Sequence, residues 1–119
     1  MWRKGNKGTK VFEYDDMSTI SPSFRSRAIW RQDGRLEVTL NVYTDFQVHE
    51  RHSKKAMKDL FIRRFGKSPA ICICEARNKL RNKDIYVSSV CFYALFDSMP
   101  DNCQMDGLEK AAAAAMKPL

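Results

Sequence analysis

The clearest alternation of apolar and polar positions lies in FRSRAIWRQDGRLEVTLNVYT, residues 24–44. Leu36, Val38, Leu40 and Val42 alternate with Glu37, Thr39, Asn41 and Tyr43, the period of two that a strand with one buried face requires. Asp33 and Gly34 mark a turn back to a preceding strand. A two-residue turn would set Arg25, Arg27 and Arg31 on the face of the Leu/Val row, burying unpaired charges at prohibitive cost. A three-residue loop, Gln32-Asp33-Gly34, with Gly34 left-handed, instead pairs Trp30 with Leu36, Ala28 with Val38 and Ser26 with Leu40. Every apolar side chain then shares one face. The other face collects Arg25, Arg27, Arg31 and Arg35 beside Thr39, Asn41 and Tyr43, with Glu37 diagonal to Arg27 and Arg31.

Downstream the period changes. From Ser53, expected as the N-cap, to Gly66, expected just past the C-terminus, Met57, Leu60, Phe61 and Phe65 form one stripe with Ala56 beside it. Lys54, Lys55, Lys58, Arg63 and Arg64 are left on the sides and outer face, opposed only by Asp59, so the segment reads as a basic amphipathic helix. Lys67 and Pro69 follow it.

AICICEA and DIYVSSVCFYALF read as a second hairpin joined by the polar loop RNKLRNK, residues 77–83, and more central in the sheet than the first because more apolar. Positions 87, 90, 91, 94 and 95 also fit a helical period, but the dominance of Ile, Val, Tyr, Phe and Cys favours strand. DGLEKAAAAAMK is a short terminal helix by propensity, closed by Pro118. Upstream, residues 1–10 show no period and read as a flexible basic arm, and EYDDMSTISPS as an acidic, turn-rich connector. The expected fold is therefore α+β: a single domain over 11–119, in the order ββαββα, with an antiparallel sheet of about four strands and two helices packed on one face.

Composition fits that picture. The chain has 119 residues, 44% hydrophobic and 29% charged, with 7 Phe, 4 Tyr and 2 Trp, enough to bury one core. No apolar run approaches the ~18 residues of a membrane helix, and MWRKGNKGTK lacks the apolar stretch of a signal peptide. A cytoplasmic protein is expected, or a nuclear one in a cell with a nucleus.

Charge changes the picture more. The net charge is +7, but residues 1–10 hold four cations and no acid, and residues 51–83 hold eleven cations against two acids. Segregated charge makes a directed field that steers polyanions. Phosphate contacts are expected from Arg3, Lys4, Lys7 and Lys10 on the arm and from Arg25, Arg27, Arg31 and Arg35 on the sheet. Lys54, Lys55, Lys58, Arg63, Arg64 and Lys67 would add theirs from the helix, and Arg77, Lys79, Arg81 and Lys83 from the second hairpin. Tyr43 is placed to stack a base. Nucleic acid, DNA or RNA, is the first reading. The alternative is a protein-interaction module, such as a small inhibitor or adaptor, docking on an acidic surface of a larger protein.

Candidate chemistry is sparse. Cys72 and Cys74 share a strand face, but they and Cys91 and Cys103 lack the matched C-x2-C pairs of a zinc site and read as unligated thiols. Asp45, His49, Glu50 and His52 in TDFQVHERH read as a solvated turn. A metal-dependent nuclease using Asp45, Glu50, Glu75 and Asp84 is a third reading, with Glu75, Arg77 and Lys79 in CEARNK its nearest approach to a site. Neither a Gly-rich phosphate loop nor a nucleophile elbow is present. No catalytic residue, metal site or cofactor is assigned, and a binding role is favoured over an enzymatic one.

Overall fold

The computed structural model describes residues 7–16, 23–83, 85–101 and 105–115. In chain order the elements are β1 (Thr9–Asp16), β2 (Ser23–Trp30), β3 (Leu36–Thr44), α1 (Glu50–Phe65), β4 (Ile71–Asn82), β5 (Ile85–Phe96) and α2 (Leu108–Ala115). The strands form one antiparallel sheet in the order β1-β2-β3-β5-β4. Both helices lie on one face, α1 against β4 and β5, α2 against β2, β3 and α1. The fold is α+β, with five strands rather than four and the order βββαββα rather than ββαββα.

The β2–β3 hairpin has the register that buried charge dictates. Ser26 faces Leu40, Ala28 faces Val38 and Trp30 faces Leu36. Arg31 donates its N–H to Arg35, Gly34 donates to Arg31, and Gly34 has φ +86°. Asp33 accepts the Arg35 N–H at 3.0 Å, an Asx contact that fixes the loop.

The additional strand occupies ground expected to be arm and connector, with Thr9 and Lys10 already in the ladder. Its alternation is masked by a register shift between Lys10 and Phe12, which buries the consecutive Val11 and Phe12. The acids that suggested a connector are its polar face, with Glu13 opposite Arg27 and Asp15 opposite Arg25.

Two further expectations are corrected. The second hairpin is not the more central one: β5 is interior but β4 is the sheet edge, and the 77–83 loop is mostly strand. An edge strand meets solvent on several sides and so tolerates the polar residues that imitate a loop. The helix starts at Glu50, one turn before Ser53, which is buried and donates its N–H to His49. His49 caps it without a side-chain bond, so no residue of capping type marks the boundary.

The core lies between the sheet and the helices. Phe61 stacks on Phe92 with centroids 5.2 Å apart, and Phe96 meets Phe61 and Phe65 edge-on at 5.8 and 5.4 Å. Met57, Leu60 and Phe65 complete the buried stripe of α1 as its spacing predicts, and Gly66 ends the helix at φ +73°. Met105, Leu108 and Ala112 cap the other half of the sheet. Because a Cβ on Gly34 would meet only the end of Lys7, 3.9 Å away, Gly34→Val tests backbone strain alone. Urea unfolding should show a loss of more than about 1 kcal/mol.

Candidate nucleic-acid interface

The second sheet face is uncovered by either helix. Across it run Lys10, Glu13 and Asp15 of β1, Arg25 and Arg27 of β2, Glu37, Thr39, Asn41 and Tyr43 of β3, Leu95, Tyr93 and Cys91 of β5, and Ile71, Ile73, Glu75, Arg77 and Lys79 of β4. Its cations on the β1–β3 side are largely matched by acids. Arg25 meets Asp15 at 3.2 Å, Lys10 meets Glu13 at 3.0 Å, and Arg31 lies 3.1 Å from Asp33 and 4.0 Å from Glu37. Arg35 lies 4.0 Å from Asp33. A hollow of about 370 Å³ opens here, lined by Glu13, Asp15, Arg25, Ser26, Arg27, Thr39 and Asn41. Two carboxylates and two guanidinium groups leave it without net charge, so it has no preference for anions.

Tyr93 reinforces this neutral character. Its hydroxyl is pushed above the usual phenol range by burial, then by the adjacent Glu37 carboxylate to which it hydrogen-bonds, with Arg31 opposing. Tyr43 is half-buried on the same face, opposite Ser23 and Ser89.

The opposite end of the sheet differs. The helix α1 carries six Arg or Lys against Glu50 and Asp59. Its aromatic stripe turns Lys54, Lys55, Lys58 and Arg63 outward, and none of them forms an ion pair among the described residues. Lys54 and Lys58 stand close enough to Cys72 of β4 to pull its thiol pKa down against the larger effect of burial, which raises it. Arg77 and Lys79 are exposed on the other side of the same edge strand. The cation-rich block at 51–83 is thus gathered on the α1–β4 side, while Glu13, Asp15 and Asp16 sit on β1 at the far edge.

Other expected contacts are placed less favourably or lie elsewhere. Arg64 donates to the carbonyl of Asp106, and Lys67 bonds the Ser98 hydroxyl at 2.9 Å. Lys7 is exposed beside the Gly34 loop, remote from α1 in the sheet order. Arg3, Lys4 and the side chain of Arg81 lie outside the described residues, and Lys83 is exposed after β4. The sheet therefore separates the Arg-bearing face from the outer face of α1, and among the described residues no single flat surface unites the expected cations.

The polar cluster in TDFQVHERH is mainly architectural. The His49 and His52 rings meet tilted by 33° with centroids 4.6 Å apart, and Glu50 accepts the Ala76 N–H of β4 at 3.2 Å. Asn78 clamps the same region, accepting from Val48 N–H, donating to Val48 C=O, both at 2.8 Å, and accepting from the Ser88 hydroxyl at 2.9 Å. Sequence reading missed Asn78, since its partners are 30 and 10 residues away. Among the described residues no three His, Cys, Asp or Glu side chains converge as a metal site, and no helix is long and apolar enough to cross a membrane. No family model, curated protein or solved structure matches the chain.

Cys72, Cys74 and Cys91 are free thiols. Burial, then the Glu50 carboxylate, pushes Cys74 up to about 11, and burial with Glu75 raises Cys91. Because a raised pKa extends the unreactive protonated thiol to higher pH and burial also blocks access, iodoacetamide should label exposed Cys91 well before buried Cys74 at pH 8. Peptide mapping should show Cys74 labelling climb only as pH nears 11. Asn78→Ala strands both polar groups of Val48 and should cost about 2–4 kcal/mol in chemical denaturation.

Proposed function

We propose that the protein binds nucleic acid through phosphate contacts made by the α1–β4 side, with Lys54, Lys55, Lys58 and Arg63 as the main helix contacts and Arg77 and Lys79 as those of the edge strand. The observation that carries this is the contrast in pairing. Lys10, Arg25, Arg31 and Arg35 pair with carboxylates, whereas Lys54, Lys55, Lys58 and Arg63 form no ion pair among the described residues. Surface ion pairs are worth only about 0–1 kcal/mol, yet a phosphate must displace the carboxylate before it gains a contact. Unpaired lysines release condensed counterions without that competition. The acids at the β1 edge orient the approach of a polyanion towards the opposite end.

A protein-docking reading keeps one observation of its own: Ile71 and Ile73 lie alternately on the open face at 45% and 49% exposure. Charge reversal separates the two. Lys54, Lys55 and Lys58 changed together to Glu leave the Met57/Leu60/Phe61 stripe untouched and should retain the melting temperature. In fluorescence anisotropy the triple variant should bind a nucleic-acid duplex at least about tenfold more weakly, with a salt slope reduced by about 3. Arg25→Ala with Arg35→Ala should change affinity less than about twofold, those guanidinium groups being already matched. Undiminished binding by the triple variant would remove α1 from the interface.

A further inference from the structure

The β4–β5 hairpin is longer than the sheet it belongs to. β3 ends with Thr44 opposite Ser88, yet the β4–β5 ladder continues through Lys79↔Val87 and Leu80↔Tyr86 to Asn82↔Ile85. Four residues of β4 and three of β5, roughly 10–13 Å at ~3.3 Å each, stand beyond the last residue of β3 as a two-stranded ribbon. Its root is fixed by the Asn78 bonds to Val48 and Ser88. One apolar side chain on each of its faces is open to solvent, Leu80 at 54% exposure on the face of its partner Tyr86 and Val87 at 49% on the face of its partner Lys79. Lys79 and Lys83 are exposed beside them, and Arg81 adds a further positive charge.

A hairpin without a third strand or a covering helix is marginal by itself, and exposed aliphatic residues on it gain burial only against a partner. Three cations, Lys79, Arg81 and Lys83, against the single acid Asp84 in the sequence of this hairpin point to an anionic partner. Two strands about 4.8 Å apart with their side chains match the ~12 Å width of the B-DNA major groove, and roughly 10–13 Å exceeds its ~8.5 Å depth. The major groove of an RNA duplex is too narrow for side chains to read. We propose that the ribbon formed by residues 79–82 and 85–87 enters the major groove of double-stranded DNA, with Leu80 and Val87, on its opposite faces, against the two walls of the groove and the flanking cations on phosphates. This rests on the nucleic-acid reading above and narrows it to duplex DNA.

The test compares the full chain with two variants. In one, residues 80–86 are replaced by Asn-Gly, closing the ladder at the Lys79/Val87 pair, and in the other Leu80→Glu is combined with Val87→Glu. Anisotropy is measured on duplex DNA, duplex RNA and single-stranded DNA of equal length, and dimethyl sulfate reports access to guanine N7 in the major groove. The full chain should prefer duplex DNA and protect N7. Both variants should lose about tenfold or more in affinity for duplex DNA, together with the N7 protection. The point variant leaves the root and core residues unchanged, so it decides the matter if the shortened chain fails to fold. Binding that still depends on Lys54, Lys55 and Lys58 but is indifferent to both ribbon variants overturns this inference alone. Preference for RNA or single strands does the same. A full chain that binds none of the three overturns the nucleic-acid reading and this inference with it.

Discussion

Everything on the helical side depends on the contact of Phe61 and Phe65 with Phe92 and Phe96. Three ring pairs with centroids between 5.2 and 5.8 Å tie α1 to the interior strand β5. Such pairs add about 0.5–1.5 kcal/mol each beyond the area they bury, and their geometry restricts rotation of the helix about its axis. The rotation matters more than the energy. A turn of 100°, one residue's worth, would carry Lys58 or Ile62 inward and bury an unpaired ammonium or leave a phenylalanine in water. With the rings engaged, Lys54, Lys55, Lys58 and Arg63 can only project outward. The charged surface of α1 is thus a consequence of its aromatic packing.

The same sheet divides charge in two ways. Between its faces, the apolar residues of β2, β3 and β5 meet the helices while the arginines look into solvent. Along its width, β1 brings Glu13 and Asp15 beside Lys10, Arg25 and Arg27, and the β2–β3 loop brings Asp33 beside Arg31 and Arg35. Asp15 reaches Arg25 across the ladder, Glu13 and Asp33 pair with cations two or three residues away, and together they convert a formally basic face into a mosaic. On the α1–β4 side, Lys54, Lys55, Lys58 and Arg63 form no ion pair among the described residues. A charge count by sequence block and a charge map of the fold consequently disagree for residues 25–35 and agree for residues 51–83.

The difference explains what was legible in the chain. The β2–β3 register was readable because three arginines allow one solution only, and the phase of α1 because Met57, Leu60, Phe61 and Phe65 leave no alternative face. The strand β1 was hidden by its bulge, since Val11 and Phe12 are buried as neighbours and the period of two fails at that point. The start of α1 was misplaced because His49 caps it without a side-chain bond. Of the candidate interface, the basic helix was legible from local spacing. The ion pairs of Arg25 with Asp15 and the anchoring of Asn78 were not, because they join residues that only the sheet brings together. The length of the β4–β5 ribbon was obscured because the run Arg77, Asn78 and Lys79, then Arg81, Asn82 and Lys83, is as polar as a loop.

The β4 edge adds one more constraint. An edge strand exposes a row of backbone donors and acceptors that invites another strand, and long apolar edges aggregate. Here Glu50 accepts the outward N–H of Ala76, and Arg77, Lys79 and the nearby Lys54 and Lys58 place charge along the strand. Edge protection alone would justify those residues. It does not justify Lys55 and Arg63, which point away from the sheet on an already soluble helix, nor does it explain why Leu80 and Val87 stay exposed where the ribbon outruns β3. Protection calls for charge on the edge and few apolar residues beside it. A binding surface for a polyanion calls for charge on both the edge and the helix, and tolerates apolar groups where the partner will cover them. The second requirement accounts for all of these residues, and the first for only part of them.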